Sequence, residues 1–322
     1  MPRLYIGFIT YGGSTAKYLP YFLPSLIRQS FTDYKLLAVD NSEADDKENA
    51  ELIKKHCSEA EIDRPGENLG FAKAYNRMIR KASREGGELF LMVNPDMILE
   101  SNVVDEMAKE MNKKNIGSVA PKIFRWDFAR QKKTAVIDSC GITLLKGLRF
   151  VDLGQGENDG ERFNRQMDIL GPSGAAGMYH IKALEEVAHN VKEGKKEYFD
   201  ELMFMYKEDC DLDYRLYSAG YTSVFTPEAI VYHDRTAHGT GTGNTEVAKN
   251  RRNKSRQVKE WSFLNQQIIF VKHWKGQKIK NKIYIVWYEL KMLGFILVFE
   301  PYLLGQFKRL FKLREKIKDK IS

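Results

Sequence analysis

The stretch Leu89-Phe90-Leu91-Met92-Val93-Asn94-Pro95-Asp96 constrains this chain more than any other. Its apolar run between Gly87 and Pro95 reads as a short strand covered on both faces. Pro95 cannot donate to a sheet ladder and turns Asn94 away from helix, so the strand stops there. Asp96 then lies just past the carboxyl end of a central strand, where open α/β sheets hold their ligands. Asn-Pro-Asp is also good turn chemistry in any fold, so the other stretches must decide.

Those stretches repeat the pattern. Leu4–Ile9 reads as a first strand and runs into the small polar loop Thr10-Tyr11-Gly12-Gly13-Ser14. Leu19, Phe22, Leu23, Leu26 and Ile27 recur at helical spacing, with Pro20 and Pro24 placing the helix start late. Leu36–Val39 is a second buried strand and ends in Asp40-Asn41-Ser42; Glu61–Asp63 is a short third. Asn68-Leu69-Gly70-Phe71 opens a helix with Phe71, Tyr75, Met78, Ile79 and Ala82 on one face, so its first amides could meet an anion. After Asp96, a helix carries Val103, Val104, Met107 and Met111 on one face, and Ile116–Ile123 is a further strand. Alternation of apolar strands with helices is the mark of parallel βαβ units. Polar groups along one sheet edge suit a nucleotide, yet no GxGxxG follows the first strand, which argues against a nicotinamide-binding domain.

Residues 124–170 change character. They are glycine-rich, with little helical period, and read as an irregular β-rich excursion over the cleft. Gly171-Pro172-Ser173-Gly174-Ala175-Ala176-Gly177 brings the chain back, its small residues permitting close backbone approach. Next comes a second acidic cluster, Glu208-Asp209-Cys210-Asp211-Leu212-Asp213. Asp209, Leu212, Asp213 and Leu216 share one helical face, while Asp211 and Arg215 pair on another, and Gly220 is the expected stop. An inward carboxylate beside Glu208 is a candidate general base, because burial and a like charge raise its pKa; the helix N-terminus pulls the other way. His233 follows a strand around Pro227, and His238 with Gly239–Asn244 reads as a loop able to close over a substrate.

Composition excludes several classes. The 322 residues are 43% hydrophobic and 29% charged, ordinary for a globular protein. Of the net charge of +8, all resides beyond Trp274, where twelve Lys/Arg meet four Asp/Glu. The body is thus near neutral, which argues against a nucleic-acid-binding face. Cys57, Cys140 and Cys210 show no CxxC spacing, which suits a reducing compartment and neither a disulfide framework nor a structural zinc site. The opening residues are too short for a signal sequence, and no run reaches membrane-spanning length.

Taken in order, Thr10-Tyr11, Val39-Asp40-Asn41-Ser42, Asn68-Leu69-Gly70-Phe71 with Asn76, Asn94-Pro95-Asp96, Ser173-Gly174-Ala175, Tyr206–Leu212 with Arg215 and Gly220-Tyr221, and His233 resemble the inverting glycosyltransferases of family 2, rhamnosyltransferase-like members above all. The resemblance spans residues 4 to about 235. It implies an α/β GT-A fold with a mostly parallel central sheet flanked by helices. A nucleotide-sugar half (1–121) and an acceptor half (122–245) would precede a C-terminal helical extension (246–322). It implies that Thr10, Tyr11, Asp40, Ser42, Asn68, Gly70, Phe71, Asn76, Asn94, Asp96 and Gly174 hold the nucleotide-sugar, that Asp209 is the base and that Glu208 orients the acceptor. Asn94-Pro95-Asp96 stands where the family has its Asp-X-Asp motif, with Asp96 and His233 as ligands of a divalent cation, Mn²⁺ or Mg²⁺. The implied partners are a nucleoside-diphosphate sugar (dTDP-rhamnose, or a UDP-sugar) and a glycan or lipid-linked glycan acceptor, with no nucleic acid. Aromatics among lysines from Trp274 onward suit amphipathic helices on an anionic membrane surface, hence a cytoplasmic enzyme on the inner face of the cell membrane; a helical pair packed on the body or on a dimer partner is the competing reading. The rival functions are a sugar nucleotidyltransferase, though Gly12-Gly13-Ser14 lacks a basic residue, and a non-catalytic basic binding protein.

Overall fold

The computed structural model describes residues 3–191, 194–235 and 254–321. The chain begins β1 (Leu4–Thr10), α1 (Gly12–Ala16), α2 (Leu19–Ile27), β2 (Tyr34–Asp40), α3 (Glu48–His56), β3 (Glu61–Asp63), α4 (Gly70–Arg84), β4 (Leu89–Val93), β5 (Met97–Leu99) and α5 (Val103–Met111). Strands β3, β2, β1 and β4 lie side by side and parallel, the doubly wound half that the alternating pattern predicts. α2 starts earlier than its prolines suggest. Pro20 falls in the first turn, where backbone N–H groups have no helical acceptor, so it costs nothing; Pro24 lies inside and forgoes one bond.

The second half is built otherwise. β6 (Ile116–Asp127), β7 (Lys132–Ser139), β8 (Ile142–Leu145), β9 (Arg149–Asp152), β10 (Met167–Ile169), β11 (Ala176–His180), α6 (Ile181–Val187), the short pair β12 (His189–Asn190) and β13 (Lys196–Glu197), α7 (Glu208–Ser218) and β14 (Thr222–His233) follow. β11 runs antiparallel between β4 and β6, so the ten-stranded main sheet is mixed beyond its parallel half, and β8–β9 and β12–β13 form two small sheets apart from it. β14 is one strand through Pro227, where its register against β6 shifts between Thr226 and Ile230; the bulge accommodates a residue without an N–H.

Alternating strand residues divide the core. Leu4, Ile6 and Phe8 pack with α2 and α5 on one face. Tyr5, Val39, Phe90 and Met92 pack with α4, α6 and α7 on the other. Three helices complete the chain: α8 (Arg256–His273), α9 (Ile279–Phe299) and α10 (Gly305–Lys318). Leu264, Ile268 and Ile269 of α8 join Leu170, Met203 and Cys210 in one apolar cluster, which also takes Ile285 of α9 and Ile317 of α10. Among the described residues, no helix is long and apolar enough to cross a membrane.

Candidate active site

At the carboxyl ends of β1 and β2, short polar side chains are tied into one knot. Thr10 and Ser42 hydroxyls both donate to Asp40 Oδ1, at 3.0 and 2.6 Å, and Arg64 Nε donates to Asp40 Oδ2 at 3.2 Å. Ser42 in turn accepts from the Gly12 amide at 2.9 Å, which fixes the loop after β1. Tyr11 stands exposed beside that loop, an aromatic face open to a partner.

The start of α4 differs from the anion site expected of it. Asn41 Oδ1 accepts from the Leu69 amide (3.3 Å), Asn68 Oδ1 from the Gly70 amide (2.9 Å), and the Phe204 carbonyl from the Phe71 amide (2.9 Å). The first amides of the helix are therefore spent inside the protein. Gly70 is at φ +74° and any Cβ there would lie 2.6 Å from Phe204, so that loop and the helix fit only around glycine. Phe71 packs on Tyr75 and Phe199. Asn76 is likewise engaged within the chain. It is fully buried, its Nδ2 donates to the Phe199 carbonyl (2.8 Å) and Glu201 (3.1 Å), and its Oδ1 accepts from the amides of Tyr198 and Phe199. A buried amide serves whichever backbone passes it, and here that is the chain leading to α7.

Past β4, the Asn94 amide donates to the Ala175 carbonyl at 2.8 Å, and the chain turns to Asp96. His233, at the end of β14, sits between two acids: Nε2 is 3.3 Å from Asp96 Oδ2 and Nδ1 is 2.8 Å from Asp138 Oδ2. Burial opposes a charge on this imidazole, but Asp96 and Asp138 together raise its pKa to about 10. Arg235 continues the chain of charges, donating to Asp138 (3.2 Å) and Asp152 (3.1 Å). Asp96 Oδ1 is buried without a hydrogen-bond partner among the described residues. The unsatisfied Asp96 oxygen fits a divalent cation, which would displace the proton from the neighbouring Nε2 of His233 while Asp138 holds the far nitrogen. A rival trio, His189, Asp200 and Asp211, does not fit one. The Lys272 ammonium already occupies it, 2.8 Å from each carboxylate and 3.0 Å from His189 Nε2.

Asp209 reaches the same region from the first turn of α7. Its Oδ2 accepts from the Gly174 amide and its Oδ1 from the Cys210 amide, both at 2.7 Å. Because Gly174 adjoins Ala175, which holds Asn94, one short segment touches both the Asp96 loop and the Asp209 carboxylate. The charge of Asp152, at the far end of the Arg235 chain, is also felt at Asp209. Burial raises the Asp209 pKa, and the two amides pull it back. Glu208 is buried, with Oε2 unpartnered among the described residues, and burial together with Asp209 pushes its carboxyl well above the usual range. Ser173 Oγ is another buried polar atom here with no partner among the described residues. Orphaned polar atoms gathered around one carboxylate mark a place for a polar ligand.

Sequence reading missed Asp138, Asp152, Arg235, Arg64 and Asn265. Asp138 comes from β7, Asp152 from the separate β8–β9 pair and Arg235 from just past β14, three segments that meet only in the tertiary structure. Asn265, buried on α8, donates through Nδ2 to the carbonyls of Met205 (2.9 Å) and Tyr206 (2.7 Å). It thus grips the turn before α7, where Tyr206 and Lys207 are both left-handed, at φ 71° and 70°. The His238 and Gly239–Asn244 loop lies outside the described residues.

Residues 5–188 match the model of the family described as "Glycosyl transferase family 2". An N-acetylglucosaminyl-diphospho-decaprenol L-rhamnosyltransferase of Mycobacterium tuberculosis, found alike in strains CDC 1551 and H37Rv, is 27% identical over 244 residues. The match covers 72% of this chain and 76% of that protein. Among solved structures, GalNAc-T7 with UDP, GalNAc and Mn²⁺ superposes with a TM-score of 0.63 at 13% identity, covering 97% of this chain and 56% of that one. The present chain thus spans little more than half of that structure's length, and the likeness is one of fold.

Proposed function

The chain belongs to glycosyl transferase family 2 and has the GT-A fold; from that premise we propose that it is an inverting enzyme with Asp209 as its base. The donor we assign is a nucleoside-diphosphate deoxyhexose, dTDP-rhamnose before a UDP-hexose. The acceptor is a hydroxyl of a lipid-linked glycan in cell-surface polysaccharide synthesis. Both choices lean on the mycobacterial relative's name. Both also place the work at a membrane surface, on its cytoplasmic side.

The observation that carries the reading is the setting of Asp209: a half-buried carboxylate held by the Gly174 amide, its pKa raised, beside the turn that binds the Asp96 loop. In the reaction, the acceptor oxygen bonds to the anomeric carbon as the bond to the diphosphate oxygen breaks. The acceptor proton passes to Asp209, and the electron pair leaves on the diphosphate. A divalent cation bound by Asp96 and His233 would supply charge neutralisation at that diphosphate. Thr10, Asp40 and Ser42 shape the nucleotide end, and Tyr11 offers its ring to the base. Glu208 orients the acceptor.

Asp209→Asn tests this. It keeps the shape and an acceptor for one of the two amides while losing the proton acceptor, so turnover should fall about 10²–10⁴-fold with nucleoside-diphosphate affinity unchanged by calorimetry. Full activity in this variant would remove Asp209 from the role.

A further inference from the structure

We propose that α9 lies flat in the interface of an anionic bilayer, its outer face buried among the lipids and its inner face on the enzyme. This rests on the membrane-surface reading above and supplies the contact it needs. Ile279, Ile283, Val286, Leu290, Leu293 and Leu297 recur every three or four residues, and so line one side of a helix of 21 residues. All six are exposed large hydrophobics, Ile279 to 77% and Leu297 to 59%. The opposite side is spent on the protein: Ile285 and Tyr288 join the cluster shared with α8, and Met292 and Ile296 pack beside Phe263 and Leu303.

The charges are arranged to suit a lipid surface. At about 100° per residue, Lys282 falls at one edge of the apolar arc and Lys280 and Lys291 at the other. Trp287, 57% exposed, stands on the Lys291 side with the ammonium 5.0 Å from its ring centre. Lysines bordering an apolar arc, with an indole at its margin, are what an amphipathic helix needs beside anionic headgroups, its apolar side sinking roughly 5–10 Å. The face continues sideways into an apolar groove of about 540 Å³ between α8, α9 and α10, walled by Val271, Trp274 and Phe307. A soluble protein does not leave so long an apolar stripe in water without a use for it. The basic excess of twelve Lys/Arg over four Asp/Glu beyond Trp274 selects an anionic surface over a neutral one. Asn281 on α9 accepts from the Gly147 amide at 2.6 Å, so the helix is pinned to the β8–β9 hairpin whose Asp152 meets Arg235. Docking α9 therefore fixes how the site faces the bilayer.

The test is flotation of the full chain with vesicles of phosphatidylcholine containing phosphatidylglycerol, and with phosphatidylcholine alone. The wild type should float with the anionic vesicles only, and 1 M salt should weaken it. Leu290→Glu/Leu297→Glu, both at exposed positions, should cut the floated fraction at least tenfold while leaving nucleoside-diphosphate binding intact. Trp287→Phe should float normally and show a smaller blue shift of tryptophan emission on binding, Trp274 in the groove wall keeping its own share. Asp209→Asn should float as the wild type does, so failure of the base assignment and failure of this one are separable. Equal flotation of the double variant would move the contact to another element. A dimer in solution that the double variant turns into a monomer, with no vesicle binding by either, would assign the face to a second copy instead and overturn the proposal.

Discussion

The two sides of α7 carry acids only two residues apart and treat them in opposite ways. Asp211 faces the C-terminal helices and is buried, yet Lys272 Nζ lies 2.8 Å away, Arg215 Nε 3.0 Å and His273 Nε2 2.9 Å. Burial by itself would raise its pKa, but these cations, Lys272 foremost, hold it well below the carboxylate range. Asp200 shares Lys272 and adds Lys320 at 2.6 Å, so α8 and the chain's end are locked to α7 by charge. Asp209 and Asp213 face the sheet and form no ion pair among the described residues. Both are raised by burial, and Asp213 also by the charge of Asp209. One side of the helix spends its acids on position; the other leaves them buried without an ion-pair partner among the described residues, the setting the proposed base requires. A base can be left under-compensated only where something else holds the helix still.

The largest effect should come from breaking the compensated side. Lys272→Met leaves Asp200 and Asp211 buried short of their shared cation, and should cost about 3–5 kcal/mol of stability, read from the denaturant midpoint. An unchanged midpoint would mean the lock is ornamental. Asn265→Ala comes next. Two consecutive left-handed residues cost roughly 1–2 kcal/mol each, so losing the clamp should let the turn at Tyr206 and Lys207 relax and carry Asp209 away. Turnover should fall about tenfold with donor KM unaltered, and adding Lys207→Gly, which tolerates that conformation, should restore part of it. A fall in thermal stability without a change in turnover would leave Asn265 a packing residue only.

The smallest effect concerns Asp213, whose Oδ2 has no partner among the described residues and whose Oδ1 accepts only a long bond, 3.4 Å, from Tyr179. Its carboxyl holds a proton in the folded chain that the unfolded chain gives up, so stability drains away as pH rises above the ordinary carboxylate range near 4. Asp213→Asn should remove that drain. Its Tm should exceed the wild type's by about 2–4 °C at pH 8 for each kcal/mol relieved, and converge with it near pH 4. A constant difference at both pH values would show that the carboxyl does not titrate as its burial implies.

The parallel half of the sheet was legible in the residues alone, because buried strands and amphipathic helices write their periods into neighbouring residues: Leu4–Ile9, Leu36–Val39 and Leu89–Val93 stand where the apolar runs place them. Also legible were the stop of α7, where Gly220 at φ +89° is the left-handed residue after the helix, and the facing of Asp209 with Leu212 and Leu216. Only the tertiary structure decided what each polar group meets. The resemblance implies Asn68 and Asn76 as ligand groups; in the structure one accepts from the Gly70 amide and the other serves the backbone before α7. His233 finds Asp138, and Asp211 finds Lys272, across 95 and 61 residues of chain. Local pattern records which face of an element is apolar; it does not record which distant charge will stand opposite, because that depends on how strands 6, 11 and 14 and the last three helices close over one another. Whether a buried acid is a base or a bolt is set by that closure alone.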